Sequence, residues 1–178
     1  MSKEHCMNEK NLQSSQEAHT FDIKFQLEYL LFSPKSYGQS AAKKWPLIVS
    51  LYGATERGND LDQLKKHGIP KIVENNPDFP FTTVSPQCPS DCWWSGELRL
   101  LNGLADEITK RCQVDTSKIY LTGLSMGGFG ILSLASITPE RLAAIAPICG
   151  GGGSRQAARA LKTCQSGYFT GQKIGSSS

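Results

Sequence analysis

The segment Gly123-Leu-Ser-Met-Gly127 has the spacing G-x-S-x-G, which suits a serine presented on a sharp turn between a strand and a helix. Such a turn strains the serine backbone, and bulky side chains at the flanking glycine positions, Gly123 and Gly127, would clash there. It lifts the hydroxyl clear at the carboxyl end of the strand. It also sets a helix N-terminus, with its free N–H groups and positive dipole end, beside the reacting atom. The chemistry expected of Ser125 is nucleophilic attack that passes through a covalent intermediate. The motif is short enough to arise by chance, so its flanks decide. Residues 118–122 read as a strand and 126–137 as a helix of small residues, as the turn requires. The alternative is a glycine-rich turn whose serine only caps the helix.

Attack on a carbonyl also needs two backbone N–H donors aimed at the developing negative oxygen. One is the N–H of the residue after the nucleophile, Met126. The second should come from the loop that follows an earlier buried strand. That loop begins at Tyr52-Gly53-Ala54, which makes the Ala54 N–H the candidate. A plain strand-ending turn is the other reading of this segment.

A serine hydroxyl is a poor nucleophile until a base takes its proton. In the chain order associated with this turn, Asp or Glu and then His follow the serine. Here no His and no Asp follow Ser125, and Glu140 is the one acid beyond it. The three histidines, His5, His19 and His67, all precede it. His5 and His19 are expected in a flexible lead-in, and His67 is expected at the surface. Lys162 or Lys173 could take a proton in principle, but nothing in the pattern positions either. Loss of a triad member leaves about 10³–10⁴-fold catalysis over water, so weak residual activity is the most this pattern implies. The expectation is a C-terminally incomplete chain, with a catalytically inactive binding or regulatory fragment as the rival reading.

The elements that must position these residues are legible as patterns. Residues 1–19 are polar and aperiodic, a flexible N-terminal segment. From Phe21 to Tyr29 apolar and polar residues alternate, as in one half-buried strand. Residues 33–44 form a loop. Pro46–Tyr52 is a nearly continuous apolar run, which suits a strand buried on both faces of a parallel sheet. A polar loop then leads to a short helix with Asn59 or Asp60 as its cap. Three prolines among residues 70–80 argue for loop or broken helix there. Phe81–Ser85 is a β-branched strand candidate. Leu98, Leu101, Leu104, Ala105, Ile108 and Cys112 recur at spacings of three and four and form one helical face. Asp115–Ser117 reads as a turn and Leu142–Ile148 as a further buried strand. Trp93 and Trp94 admit two readings, pocket lining or packing. Strands alternating with helices imply a parallel α/β sheet of five or six strands. The α/β domain is placed at 20–153, with a helix remnant and disordered tail over 154–178.

Composition excludes several classes of function. At 178 residues the chain suits one domain, with 39% hydrophobic and 20% charged residues. The net charge of +3 resides in the last 25 residues, where Arg155, Arg159, Lys162 and Lys173 meet no acid. The remainder holds 15 basic and 16 acidic residues. No clustered basic surface of the kind that nucleic acids need is visible. Neither a signal-peptide core nor a membrane-length apolar run is present, so the cytoplasm is the default compartment and the six cysteines are expected as reduced thiols. Cys88 and Cys92 lack the further ligands that a zinc site requires. No metal or organic cofactor is implied. Oligomeric state is left open, although an exposed sheet edge would favour self-association.

The segments WPLIVSLYGATERGND, FTTVSPQCP, WW, KIYLTGLSMGGFG and PERLAAIAPICGGG resemble the esterase/peptidase-like α/β-hydrolases. These are relatives of dienelactone hydrolase, the phospholipase/carboxylesterases and the prolyl-oligopeptidase catalytic domain. The resemblance covers roughly residues 20–161 and rests on several motifs in the right order. It implies the α/β-hydrolase fold, a mostly parallel sheet with flanking helices, here without the last strands. It also implies Ser125 as nucleophile, Ala54 and Met126 as oxyanion donors, and a small-molecule ester, thioester or peptide-like substrate. Two features depart from the family. Tyr52-Gly53 stands where His-Gly is usual, with Thr55 near the place of a further glycine. LKTCQSGYFTGQKIGSSS stands where two further strands would supply the triad Asp and His.

Overall fold

The computed structural model describes residues 15–23, 25–150 and 165–166. The expected flexibility of 1–14, and most of the helix remnant and tail expected after residue 153, lie outside the described residues.

Among the described residues a seven-stranded sheet runs in the order β1-β2-β4-β3-β5-β6-β7. Its strands are β1 (Ser15–Ile23), β2 (Phe25–Ser33), β3 (Trp45–Leu51), β4 (Thr82–Pro86), β5 (Val114–Leu124), β6 (Ala144–Ile148) and β7 (Gln165–Ser166). The pairs β1–β2 and β2–β4 are antiparallel. From β4 through β3, β5 and β6 to β7 the pairing is parallel. The sheet is therefore α/β and mostly parallel, with one antiparallel wing, and it has more strands than the five or six expected.

Four local readings need correction. The alternating stretch from residue 20 is two antiparallel strands: Ser15 pairs with Ser33 and Ile23 with Phe25. His19 consequently lies in β1, with its ring stacked 5.5 Å from that of Tyr29. Helix α1 (Gly68–Glu74) runs through Pro70, because the missing N–H falls in the first turn, where N–H groups have no intrahelical acceptor in any case. Asp115–Ser117 belongs to β5, where the register against β3 shifts between Trp45 and Leu47. The Asp115 carboxylate accepts from Ser117 N–H (3.1 Å) and its hydroxyl (2.6 Å), so turn-like side-chain bonding persists within an extended segment. Gln165–Ser166, in the segment read as helix and tail, pairs as a strand with Ala144 and Ile145.

Alternation along β3 sorts its side chains to two layers. Leu47, Val49 and Leu51 join the main core with Leu101, Leu104 and Ile108 of α2 (Leu98–Arg111) and Ile131, Leu132 and Leu134 of α3 (Met126–Ile137). On the opposite face Tyr52 packs with Leu30 and Leu64. Leu64 lies in a short 3-10 helix, Leu61–Lys66, where the Asp60 carboxylate accepts from Asp62 N–H at 3.1 Å. Helix α3 is apolar nearly all round, as its sequence MGGFGILSLASI shows, and it is buried along most of its length, which such a helix requires. Among the described residues no helix is long and apolar enough to cross a membrane.

Leu104, on the α2 face turned to the sheet, is fully buried, while neighbouring Arg99 is exposed. Leu104→Ala should lower unfolding stability by about 2–5 kcal/mol, and Arg99→Ala by no more than about 0.5 kcal/mol. Urea unfolding followed by circular dichroism measures both, with an unchanged denaturant slope expected.

Candidate active site

Strand β5 ends at Leu124 and α3 begins at Met126, so Ser125 is the whole of the connection. Its φ of 52° and ψ of −114° are unusual for a residue with a side chain and carry strain of about 1–3 kcal/mol. Two backbone bonds hold it there: Ser125 N–H donates to Ile148 O (2.8 Å), and Phe129 N–H donates to Ser125 O (3.2 Å). The serine itself is exposed.

The glycines around it are imposed by backbone contact. A Cβ on Gly123 would collide with the Gly127 carbonyl, and one on Gly127 with the Leu51 carbonyl at the end of β3. Gly128 and Gly150 face each other closely enough that a Cβ on either would strike the other's backbone. Gly130 lies against the Trp94 side chain. The first turns of α3 thus pass directly over β3 and the end of β6. Sequence reasoning identified Gly123 and Gly127 but not Gly128, Gly130 or Gly150, whose neighbours are distant in the chain.

The end of β3 meets the serine from the other side. A Cβ built on Gly53 would stand 3.7 Å from Ser125 Cβ. Ala54 opens a single-turn 3-10 helix, Ala54–Glu56, and is exposed. Both expected oxyanion donors, Ala54 and Met126, therefore occupy the first position of a helix, where an N–H has no intrahelical acceptor.

Three residues beside this point were not singled out from the sequence. Glu56 is buried, and its Oε2 accepts from Gly53 N–H at 3.0 Å while its Oε1 accepts from the Thr55 hydroxyl at 2.5 Å. Gln87, also buried, donates through Nε2 to the carbonyls of Glu56 (3.0 Å) and Asp60 (2.9 Å). Arg57 Nε donates to Ala54 O at 3.1 Å, and its Nη1 donates to Cys92 O at 3.2 Å. The available sequence signal was the three-residue spacing of Gly53 and Glu56, half of a capping box.

The two tryptophans part company. Trp94 is fully buried, and its Nε1–H donates to Tyr52 O at 3.2 Å, so it packs. Trp93 is 55% exposed, with the Arg57 guanidinium 5.2 Å from its ring centroid. His67, expected at the surface, is only partly exposed. Its ring tilts against Tyr52 (5.7 Å) and its Nε2 lies 3.8 Å from Glu56 Oε1.

Tyr52, which stands where histidine is usual in the family resembled, sits in a buried polar cluster. Its hydroxyl meets those of Ser50 and Ser85, which bond each other at 2.7 Å, and donates weakly to His67 O at 3.4 Å. Burial pushes the phenol up from 10.0 to about 12. A mostly apolar cavity of about 320 Å³ adjoins these groups, lined by Tyr52, His67, Ile72, Leu124 and Ile148 among others. Among the described residues no group of three or more His, Cys, Asp or Glu side chains could hold a metal ion. Cys88 and Cys92 are free thiols, and burial raises both, to about 12 and about 11.

No protein-family model and no curated protein matches the chain. Many solved structures do resemble it. A thermostable esterase superposes with a TM-score of 0.69 at 25% identity, over 89% of this chain and 56% of that one. A ferulic acid esterase gives 0.61 at 21% identity, over 78% and 60%. An acetyl xylan esterase from Aspergillus awamori gives 0.59 at 17% identity, over 74% and 50%. The chain thus spans between half and three-fifths of the length of these proteins.

Two outcomes follow. Gly127→Ala should cost about 1–3 kcal/mol through overpacking against Leu51, read as a lowered midpoint in urea. Tyr52 should titrate late among the five tyrosines, an absorbance step at 295 nm near pH 12 that Tyr52→Phe removes. Because the folded value lies above the unfolded one, its contribution to stability is complete below pH 10 and is lost as pH rises from 10.0 through about 12.

Proposed function

Because this chain is an α/β-hydrolase of the esterase type in its fold, we propose that it is a serine hydrolase acting on carboxylic esters, with thioesters or small peptide-like bonds as related substrates. The observation that supports this best is Ser125 itself, exposed at φ 52° on a one-residue strand-to-helix turn. In this reading Ser125 Oγ attacks the carbonyl carbon. The Ala54 and Met126 N–H groups stabilise the resulting oxyanion. The alcohol departs, and water then hydrolyses the acyl-enzyme. The thermostable esterase, at 25% identity over 89% of this chain, lends the ester preference its support.

One observation favours a second reading. Within these 178 residues no His or Asp follows Ser125, so they hold no base in the usual chain order. A polypeptide with the nucleophile turn but no base would bind rather than turn over its ligand.

A fluorophosphonate probe separates the two. The proposal expects covalent labelling of the folded chain at Ser125, abolished by Ser125→Ala, together with slow hydrolysis of a p-nitrophenyl ester, about 10³–10⁴-fold above the water rate. Absence of both from folded protein would sink the hydrolytic reading and leave the binding one.

A further inference from the structure

A buried carboxylate is costly unless its oxygens are satisfied, and Glu56 spends its oxygens on the loop beside Ser125. Three successive peptide groups are involved. The Tyr52–Gly53 peptide is held through the Gly53 N–H, which donates to Glu56 Oε2 at 3.0 Å. The Ala54–Thr55 peptide is held through the Ala54 carbonyl, which accepts from Arg57 Nε at 3.1 Å. Between them lies the Gly53–Ala54 peptide, whose N–H belongs to Ala54. With both neighbours bonded, the two ends of this middle peptide are held in place, and a flip of the peptide between them would drive φ of Ala54 towards the positive region that its side chain disfavours.

The base of the loop is pinned as well. Gln87, at the end of β4, donates to the Glu56 and Asp60 carbonyls, and Gly58 N–H donates to Cys88 O at 2.9 Å. The Glu56 carboxylate is itself oriented by the Thr55 hydroxyl, with His67 Nε2 3.8 Å away. Its Oε2 would stand 3.0 Å from a Cβ on Gly53, so a side chain there would press on the carboxylate.

We propose that Glu56 is a positioning residue of this site: its carboxylate on the Gly53 N–H, with the Arg57 guanidinium on the Ala54 carbonyl, preorganises the Ala54 N–H as an oxyanion donor. This rests on the serine-hydrolase reading, and its consequence is quantitative. Loss of one such donor costs about 10²–10³-fold in rate, and a misplacement of about 1 Å costs about 10²-fold.

The test compares Glu56→Ala with Glu56→Gln, which keeps an acceptor for Gly53 N–H. Glu56→Ala should slow fluorophosphonate labelling of Ser125 by about 10²-fold, and Glu56→Gln should restore it to within several-fold of the unsubstituted chain. Amide hydrogen exchange gives a readout that needs no activity. Exchange at Gly53, whose N–H is bonded to the carboxylate, should accelerate at least about tenfold in Glu56→Ala, while core amides such as Val49 and Leu121 stay protected, as local opening requires. Unchanged exchange at Gly53, equal acceleration of the core amides, or accelerated Gly53 exchange with unchanged labelling would each overturn the proposal. If Glu56→Ala does not fold, the Gly53 amide proton decides. Bonded to a carboxylate it should resonate downfield in the unsubstituted chain and move upfield in Glu56→Gln, and an unmoved resonance counts against the proposal. A chain that exchanges as expected but takes no label at all refutes the serine-hydrolase reading, while the loop-holding role of Glu56 stands.

Discussion

Backbone contact without intervening side chains governs the region around Ser125. Gly127 lies so close to the Leu51 carbonyl, and Gly123 to the Gly127 carbonyl, that a methyl group at either position has no room. Helix α3 can therefore start immediately above the ends of β3 and β5. That proximity makes the one-residue turn feasible and keeps Ser125 at positive φ. Strain of about 1–3 kcal/mol persists only where surrounding structure over-determines it. Here the bonds from Ser125 N–H to Ile148 O and from Phe129 N–H to Ser125 O do so.

The same closeness organises the second side of the site. Trp94 fills the space that Gly130 leaves open, and its indole N–H reaches the Tyr52 carbonyl at the end of β3. Where β3 stops, Gly53 meets the serine and a single helical turn begins at Ala54. Two helix starts, at Ala54 and Met126, thus follow directly on the ends of β3 and β5. Under the proposed function these first-turn N–H groups, which lack intrahelical acceptors, would be the ones to meet a developing anion. Fixed dipoles of this sort need no reorganisation when charge appears.

Much of the layout was legible in local pattern. The period of α2 places Leu101, Leu104 and Ile108 on a single face, and all three are buried. The continuous apolar run at β3 reads as a strand covered on both sides, as found. Misreadings arose where local pattern is silent. Strands β1 and β2 follow one another with no glycine, proline or asparagine between Thr20 and Tyr29 to separate them, and the alternation of apolar and polar residues runs on from one into the other. Pro70 looked like a breaker because its place within a helix depends on where that helix starts. Trp93 and Trp94 are identical neighbours with opposite exposures, and no spacing rule separates them.

By itself the sequence determined the strand-turn-helix at Ser125, the two flanking glycines, the helix α2 face and the α/β class, because each depends on residues within a few positions of one another. Only the tertiary structure decided that Gly128 must clear Gly150, that Gln87 anchors a loop beginning at Gly53, that Trp94 packs while Trp93 does not, and that Glu56 lies buried beside the serine. Each of these depends on parallel strand order, which brings β3 between β4 and β5, and β5 against β6, across long sequence separations. Periodicity encodes which side of an element is apolar. It does not encode which distant backbone that side will touch, and at Ser125 such contacts set the geometry.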